Sequence, residues 1–195
     1  MKRSIKKVAV LGSGVMGSRI ACHFANIGME VLLLDIVPRE LLPAEEAKGL
    51  TLENSAVRNR IVNSSLDTAI KSNPAPLFSK SYASRIKTGN FDDDMSKISQ
   101  VDWVIEVVVE RLDIKKSVFD QVEKYRKPGT LITSNTSGIP IHMMNEGRSD
   151  DFKAHFCGTH FFNPPRYLQL LEIIPTADTK QEVIDFLIHF GDKML

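Results

Sequence analysis

Val8-Ala9-Val10-Leu11-Gly12-Ser13-Gly14-Val15-Met16-Gly17-Ser18-Arg19-Ile20-Ala21 decides the fold of this 195-residue chain. Four apolar residues run into glycines spaced G-x-G-x-x-G. Behind them apolar positions recur at Val15, Met16, Ile20, Ala21, Phe24, Ala25 and Ile27. An unbroken apolar run bounded by glycine reads as a buried strand, and the later recurrence reads as a helix, which Gly28 stops. Strand, glycine turn and helix in that order form the entry to a dinucleotide site. Gly12 allows the tight turn, Gly14 clears the backbone where a pyrophosphate approaches, and Gly17 lets helix pack on strand. The helix N-terminus offers free N–H groups and partial positive charge to the phosphates.

Outward from this stretch, Glu30 to Ile36 reads as a second apolar strand closing on Asp35. Asp35 lies roughly 20 residues past the last glycine, where the fingerprint places an acid. Its carboxylate can accept from ribose hydroxyls and would repel a 2′-phosphate, which points to NAD over NADP. The alternative is a helix-capping or solvated loop carboxylate.

The remainder alternates in the same way. Pro38 to Asn73 is polar with amphipathic periodicity, one or two helices of which the second is long, and Asn73-Pro-Ala-Pro76 breaks it. The pattern predicts strands over Ala83–Lys87, Val101–Val109, Thr130–Thr133, Ala154–Phe162 and Leu168–Ile174. It predicts helices over Asp113–Tyr125, Ile139–Asn145 and Thr179–Phe190. Strand–helix alternation argues for an α/β fold, a Rossmann-type doubly wound, mostly parallel sheet with helices on both faces. Residues 1–195 read as one dinucleotide-binding domain.

Composition excludes several functions. With 25 basic and 24 acidic side chains the net charge is +1, so no broad field attracts nucleic acid or a membrane surface. The basic start, Met1-Lys-Arg-Ser-Ile-Lys-Lys, precedes an apolar run too short and too glycine-broken for a signal peptide. No stretch reaches membrane-spanning length. The expectation is a cytoplasmic protein. Cys22 and Cys157 read as buried thiols rather than a disulfide. The acidic triplet in Gly89-Asn-Phe-Asp-Asp-Asp94 reads as a solvated loop, without the ligand spacing of a metal site.

Chemistry concentrates late in the chain. Glu110 and Lys115 flank the helix after the Val101 strand, at a strand end that faces the ligand crevice. Ser134-Asn-Thr-Ser137 occupies the next strand end, where short polar side chains either form turns or bind a ligand. His160 sits in an apolar strand beside Phe161 and Phe162. Glu172 sits inside Leu-Glu-Ile-Ile, where a buried carboxylate needs a partner. A His–Glu pair satisfies both, with the carboxylate orienting the ring as a base for an alcohol proton while hydride leaves for nicotinamide. Cys157 lacks the basic context of a nucleophile, and Ser137 lacks an elbow motif.

Taken together, His160-Phe-Phe-Asn163-Pro164, Ser134-Asn-Thr-Ser137, Glu106-Val-Val-Val-Glu110 with Lys115, and Gly12-Ser-Gly-Val-Met-Gly17 resemble the NAD-binding domain of the L-3-hydroxyacyl-CoA dehydrogenases of fatty-acid β-oxidation. The match runs in order along essentially the whole chain. The resemblance implies NAD-dependent oxidation of L-3-hydroxyacyl-CoA to 3-oxoacyl-CoA, with His160 as general base held by Glu172 and Ser137 contacting the substrate hydroxyl and the cofactor. It implies a cofactor site lined by Gly12, Gly14, Val15, Met16, Gly17, Asp35, Val108, Val109, Glu110, Lys115, Asn135, Ser137 and Asn163. It further implies a C-terminal helical domain beyond this chain, an acyl-CoA substrate and a homo-oligomer in the full-length protein, which itself resembles a multifunctional one. Two alternatives stay open: a related dehydrogenase of a sugar acid or other 3-hydroxy acid, and a non-catalytic NAD-binding module.

Overall fold

The computed structural model describes residues 3–195. Met1 and Lys2, where the basic start begins, lie outside the described residues. β1 (Lys7–Leu11) pairs in parallel with β2 (Glu30–Asp35) on one side and β4 (Trp103–Glu106) on the other. β3 (Ile86–Asn90) extends the sheet beyond β2. β5 (Leu131–Ser134), β6 (Phe156–Phe161) and β7 (Leu171–Pro175) extend it beyond β4. The order is β3-β2-β1-β4-β5-β6-β7. Only β7 runs antiparallel, against β6. The order reverses between β1 and β4, and such a switch point opens a crevice at the carboxyl ends of the strands.

Alternation along β1 separates two cores. Val8 and Val10 face one layer, built from α1 (Val15–Asn26), α4 (Arg60–Lys71) and α9 (Gln181–Met194). Ala9 and Leu11 face the other, built from α6 (Leu112–Tyr125), α7 (His142–Asn145), α8 (Asp150–Ala154) and the 3-10 turn Met95–Gln100. Both faces of the sheet are therefore covered, which is why its central strands are predominantly apolar. Phe24 anchors the first core, edge-on to Trp103 at 5.2 Å and stacked on Phe190 at 6.4 Å.

Several boundaries differ from expectation. The third strand is Ile86–Asn90 rather than Ala83–Lys87, because Ser79 caps a 3-10 turn over Lys80–Arg85. An edge strand pairs with one neighbour only, so its polar Lys87-Thr88-Gly89-Asn90 did not read as a strand. The acidic triplet is a capped helix, α5 (Phe91–Asp94), and not a solvated loop. Buried Asn90 accepts from Asp93 N at 2.8 Å, and Asp93 receives both Nε and Nη2 of Arg58. The fourth strand stops at Glu106 instead of Val109. Ala154 ends α8 rather than opening β6, and β7 begins at Leu171 rather than Leu168. The short α2 (Pro43–Glu46) and α3 (Ser55–Arg58) precede α4, in the segment expected to be helical. Cys22 and Cys157 are buried free thiols, and burial pushes both up to about 12.

Phe24→Ala removes a fully buried ring shared by α1, β4 and α9. The expected loss is about 3–5 kcal/mol of unfolding free energy, read from the urea midpoint at unchanged slope. A loss under about 1 kcal/mol would contradict this packing.

Candidate active site

The crevice is built from the carboxyl ends of β1, β2, β4, β5 and β6. At the end of β1, Gly12 adopts φ +106°, and a Cβ there would lie 2.6 Å from the Val107 carbonyl oxygen. A Cβ on Gly17 would lie 1.8 Å from the Gly12 carbonyl oxygen. The glycine turn is thus clamped between β4 and α1. Gly14 differs: nothing lies within 4 Å of where its Cβ would be. It caps α1 with no side-chain hydrogen bond, and the first turn carries no acid. Open backbone over a free helix N-terminus fits a pyrophosphate. Val15 is exposed and Met16 half-buried beside it.

Asp35 closes β2. Its Oδ2 accepts from Ser13 N at 2.6 Å and from the Ser13 hydroxyl, and its Oδ1 accepts from Ile36 N at 2.7 Å. The carboxylate ties the second strand to the glycine turn, which is neither a helix cap nor a solvated loop role. An ionised carboxylate has about four acceptor positions, so capacity for a ribose hydroxyl remains. These residues fit NAD.

At the end of β4, Glu106 turns its carboxylate back to accept from Val108 N at 2.7 Å. Val107 N still reaches Leu11 O at 2.8 Å, and beyond it the Glu106 bond and Arg111 N to Val109 O at 2.7 Å turn the chain away from the sheet, with Val109 exposed. Lys115 does not face the cleft with a free ammonium. It is 1% exposed, and its Nζ donates to Glu106 Oε1 and Oε2 at 2.8 and 3.0 Å. It also lies 3.2 Å from Glu110 Oε2. Burial pushes the Glu106 carboxyl above its ordinary range, opposed by the Lys115 ammonium.

Glu110 gathers the loop after β5. Its Oε1 accepts from the N–H groups of Ser137, Gly138 and Ile139 at 3.1, 2.9 and 3.3 Å and from the Thr136 hydroxyl. Partial burial pulls this carboxyl up, yet the bonds from Thr136 and Gly138 and the Lys115 ammonium pull it further down, to about 2. The polar run Ser134–Ser137 divides accordingly. Ser134 donates to Glu106, Asn135 Oδ1 accepts from Phe161 N at 2.8 Å, and Thr136 donates to Glu110. Only the Ser137 hydroxyl, exposed at the cleft, has no partner among the described residues.

On β6 and β7, antiparallel register sets His160 opposite Glu172. His160 Nδ1 lies 2.6 Å from Glu172 Oε2. A carboxylate only accepts, so Nδ1 is the ring nitrogen that carries the proton of this bond. The pairing matches expectation, while the burial that motivated it does not. Glu172 is 51% exposed and His160 20%, because β7 is an edge strand. Asn163 follows β6 at a cis Asn163–Pro164 bond, and its Oδ1 accepts from Arg19 Nη1 at 2.6 Å. Arg19 belongs to no sequence motif beyond the glycine stretch, Thr136 stands out only as a member of the Ser134–Ser137 run, and Glu106 only as part of Glu106–Glu110. A lone acid inside the apolar Val104–Val109 run was the available signal for Glu106; Arg19 offered none. Among the described residues no group of three or more His, Cys, Asp or Glu could hold a metal ion, and no helix is long and apolar enough to cross a membrane.

The family model described as 3-hydroxyacyl-CoA dehydrogenase, NAD binding domain, matches residues 7–194. The chain is 55% identical, over its full length, to a probable 3-hydroxyacyl-CoA dehydrogenase of Bacillus subtilis, of which it covers 25%. It is 44% identical over 98% of its length to one of Deinococcus radiodurans, covering 51% of that protein. The chain thus spans a quarter to a half of these relatives. Among solved structures, (S)-3-hydroxybutyryl-CoA dehydrogenase from Ralstonia eutropha superposes with TM-score 0.71 at 28% identity, over 98% of this chain and 61% of that one.

The lowered Glu110 carboxyl makes stability depend on acid. A depressed folded value stabilises above the ordinary 4.5 and loses that contribution as pH falls toward about 2. The urea midpoint of the wild type is expected to fall across that window, and that of Glu110→Gln to fall less. Parallel profiles would contradict the Glu110 contacts.

Proposed function

The chain belongs to the family of 3-hydroxyacyl-CoA dehydrogenase NAD-binding domains, and we propose that it is the cofactor domain of an enzyme oxidising L-3-hydroxyacyl-CoA to 3-oxoacyl-CoA in fatty-acid β-oxidation. The observation that carries this reading is the His160–Glu172 pair, 2.6 Å apart, on the same sheet edge as the glycine turn. A pure cofactor-binding module has no use for an oriented base.

In this reading His160 Nε2 takes the proton of the substrate hydroxyl, while Glu172 holds Nδ1–H and stabilises the imidazolium that forms. Bound NAD supplies the acceptor for the hydride leaving the carbinol carbon. The Ser137 hydroxyl orients the substrate oxygen. Gly12, Gly14, Val15, Met16 and Gly17 hold the pyrophosphate, and Asp35 accepts from the adenosine ribose. Val108, Val109, Glu110, Lys115, Asn135 and Asn163 shape the nicotinamide end, several of them through backbone geometry rather than direct contact. An acyl-CoA substrate, a helical domain in the remainder of the parent protein, self-association of the whole enzyme and a cytoplasmic location belong to the same reading. Residues 1–195 serve in it as the dinucleotide-binding domain.

Titration calorimetry on this chain is expected to show NADH binding, at least about tenfold tighter than NADPH because of Asp35. His160→Gln should leave NADH affinity within about twofold, yet cut turnover of the full-length protein by about 10²-fold or more. Absence of NADH binding would overturn the cofactor reading. Surviving turnover would overturn His160 as base.

A further inference from the structure

The most deeply buried ion pair among the described residues, Glu106 with Lys115, takes no part in the proton and hydride transfers. Lys115 Nζ spans Glu106 and Glu110, and each acid continues to another segment. Glu106 accepts from Val108 N at 2.7 Å, in the turn after β4, and from Ser134 Oγ at the end of β5. Glu110 accepts from three successive backbone N–H groups, Ser137, Gly138 and Ile139. A continuous run of charged contacts therefore starts on Glu106, passes through α6, and ends on the backbone of Ser137.

We propose that Glu106 is a positioning residue of the cofactor site, which through Lys115 and Glu110 sets both the Ser137 loop and the Val108–Val109 turn. This rests on the reading that the crevice binds NAD. Stability alone does not account for the arrangement. A buried ion pair is often no more stabilising than apolar side chains of similar volume, whereas a buried ammonium stripped of its partner is strongly unfavourable. With the Glu106 charge gone, Lys115 has one carboxylate left. Glu110 must turn inward to cover it, and the N–H groups of residues 137–139 lose their acceptor. Charge at Glu106 is thereby converted into the position of a hydroxyl in another loop.

The test uses the 195-residue chain and NADH as probe, with titration calorimetry beside thermal melting. Wild type is compared with Glu106→Gln, Glu110→Gln, their combination, and Glu106→Gln/Lys115→Met, which removes both charges at nearly constant volume. With no ammonium left to hold Glu110, the charge-free pair is expected to melt cooperatively near the wild-type temperature and, its Ser137 loop unanchored, to bind NADH about tenfold more weakly or worse. The losses in Glu106→Gln and Glu110→Gln should overlap rather than multiply, as they do for residues of one network. A charge-free pair that folds and binds NADH like wild type makes the pair structural and overturns the proposal, as do fully multiplicative losses. Should the charge-free pair fail to fold, Glu106→Asp decides, since it keeps the charge one methylene short. Weakened binding supports the proposal, and unchanged binding overturns it. A wild-type chain that binds no NADH removes the cofactor reading itself and this inference with it, whereas unchanged variants on a binding wild type remove this inference alone.

Discussion

One buried ammonium, Lys115, held between the buried carboxylate of Glu106 and the partly exposed one of Glu110, constrains the ligand end of this sheet. Removing Lys115 and Glu106 from solvent costs several kcal/mol per ion, and only close, well-satisfied geometry offsets it. The geometry is satisfied to a high degree: Glu106 accepts from an ammonium, a backbone N–H and a hydroxyl, and Lys115 has acceptors on two acids. Because the penalty for a misplaced partner is large, the elements that contribute the partners are held in register. The turn after β4, the first turns of α6 and the end of β5 are fixed relative to one another by charge, where apolar packing would tolerate sliding.

The opposite side of the crevice is held by sterics. Gly12 approaches the Val107 carbonyl and Gly17 approaches Gly12, distances that no side chain could tolerate. The same residue, Val107, therefore leaves the sheet at a point fixed from below by Glu106 and from the side by Gly12. Asp35 joins the second strand to this assembly through Ser13. The glycine turn, Asp35 and the turn after β4 are thereby joined in one hydrogen-bonded and close-packed block.

How much of this was legible in the sequence follows from how local each signal is. The glycine turn, α1, Asp35 and the buried strands were legible because spacing and periodicity are properties of a dozen neighbouring residues. The His160–Glu172 pair was legible as a pairing, though for an incomplete reason: a carboxylate in an apolar run suggested burial, while the structure places it on an edge strand with half its surface in water. The polar β3 was displaced because an edge strand needs no apolar face on its outer side, so it carries no periodic mark. Ser134–Ser137 could not be divided into scaffold and cleft from composition. Which of four short polar side chains stays unbonded depends on Glu106, Glu110 and Phe161, each more than 20 residues away.

The two halves of the site differ in what the chain itself secures. The Glu106–Lys115 pair is sealed, so its attraction acts at low dielectric and holds geometry in the isolated domain. The His160–Glu172 hydrogen bond stands partly in water, which competes for both partners and leaves the bond a small net contribution. This bond orients the ring, which also packs against Phe162 at 4.7 Å. Anything that covers β7 and excludes water there strengthens the same bond without a new contact to the histidine. The Glu106 side of the crevice is thus held by the burial of its own charges, and the His160 side by an exposed hydrogen bond between two strands.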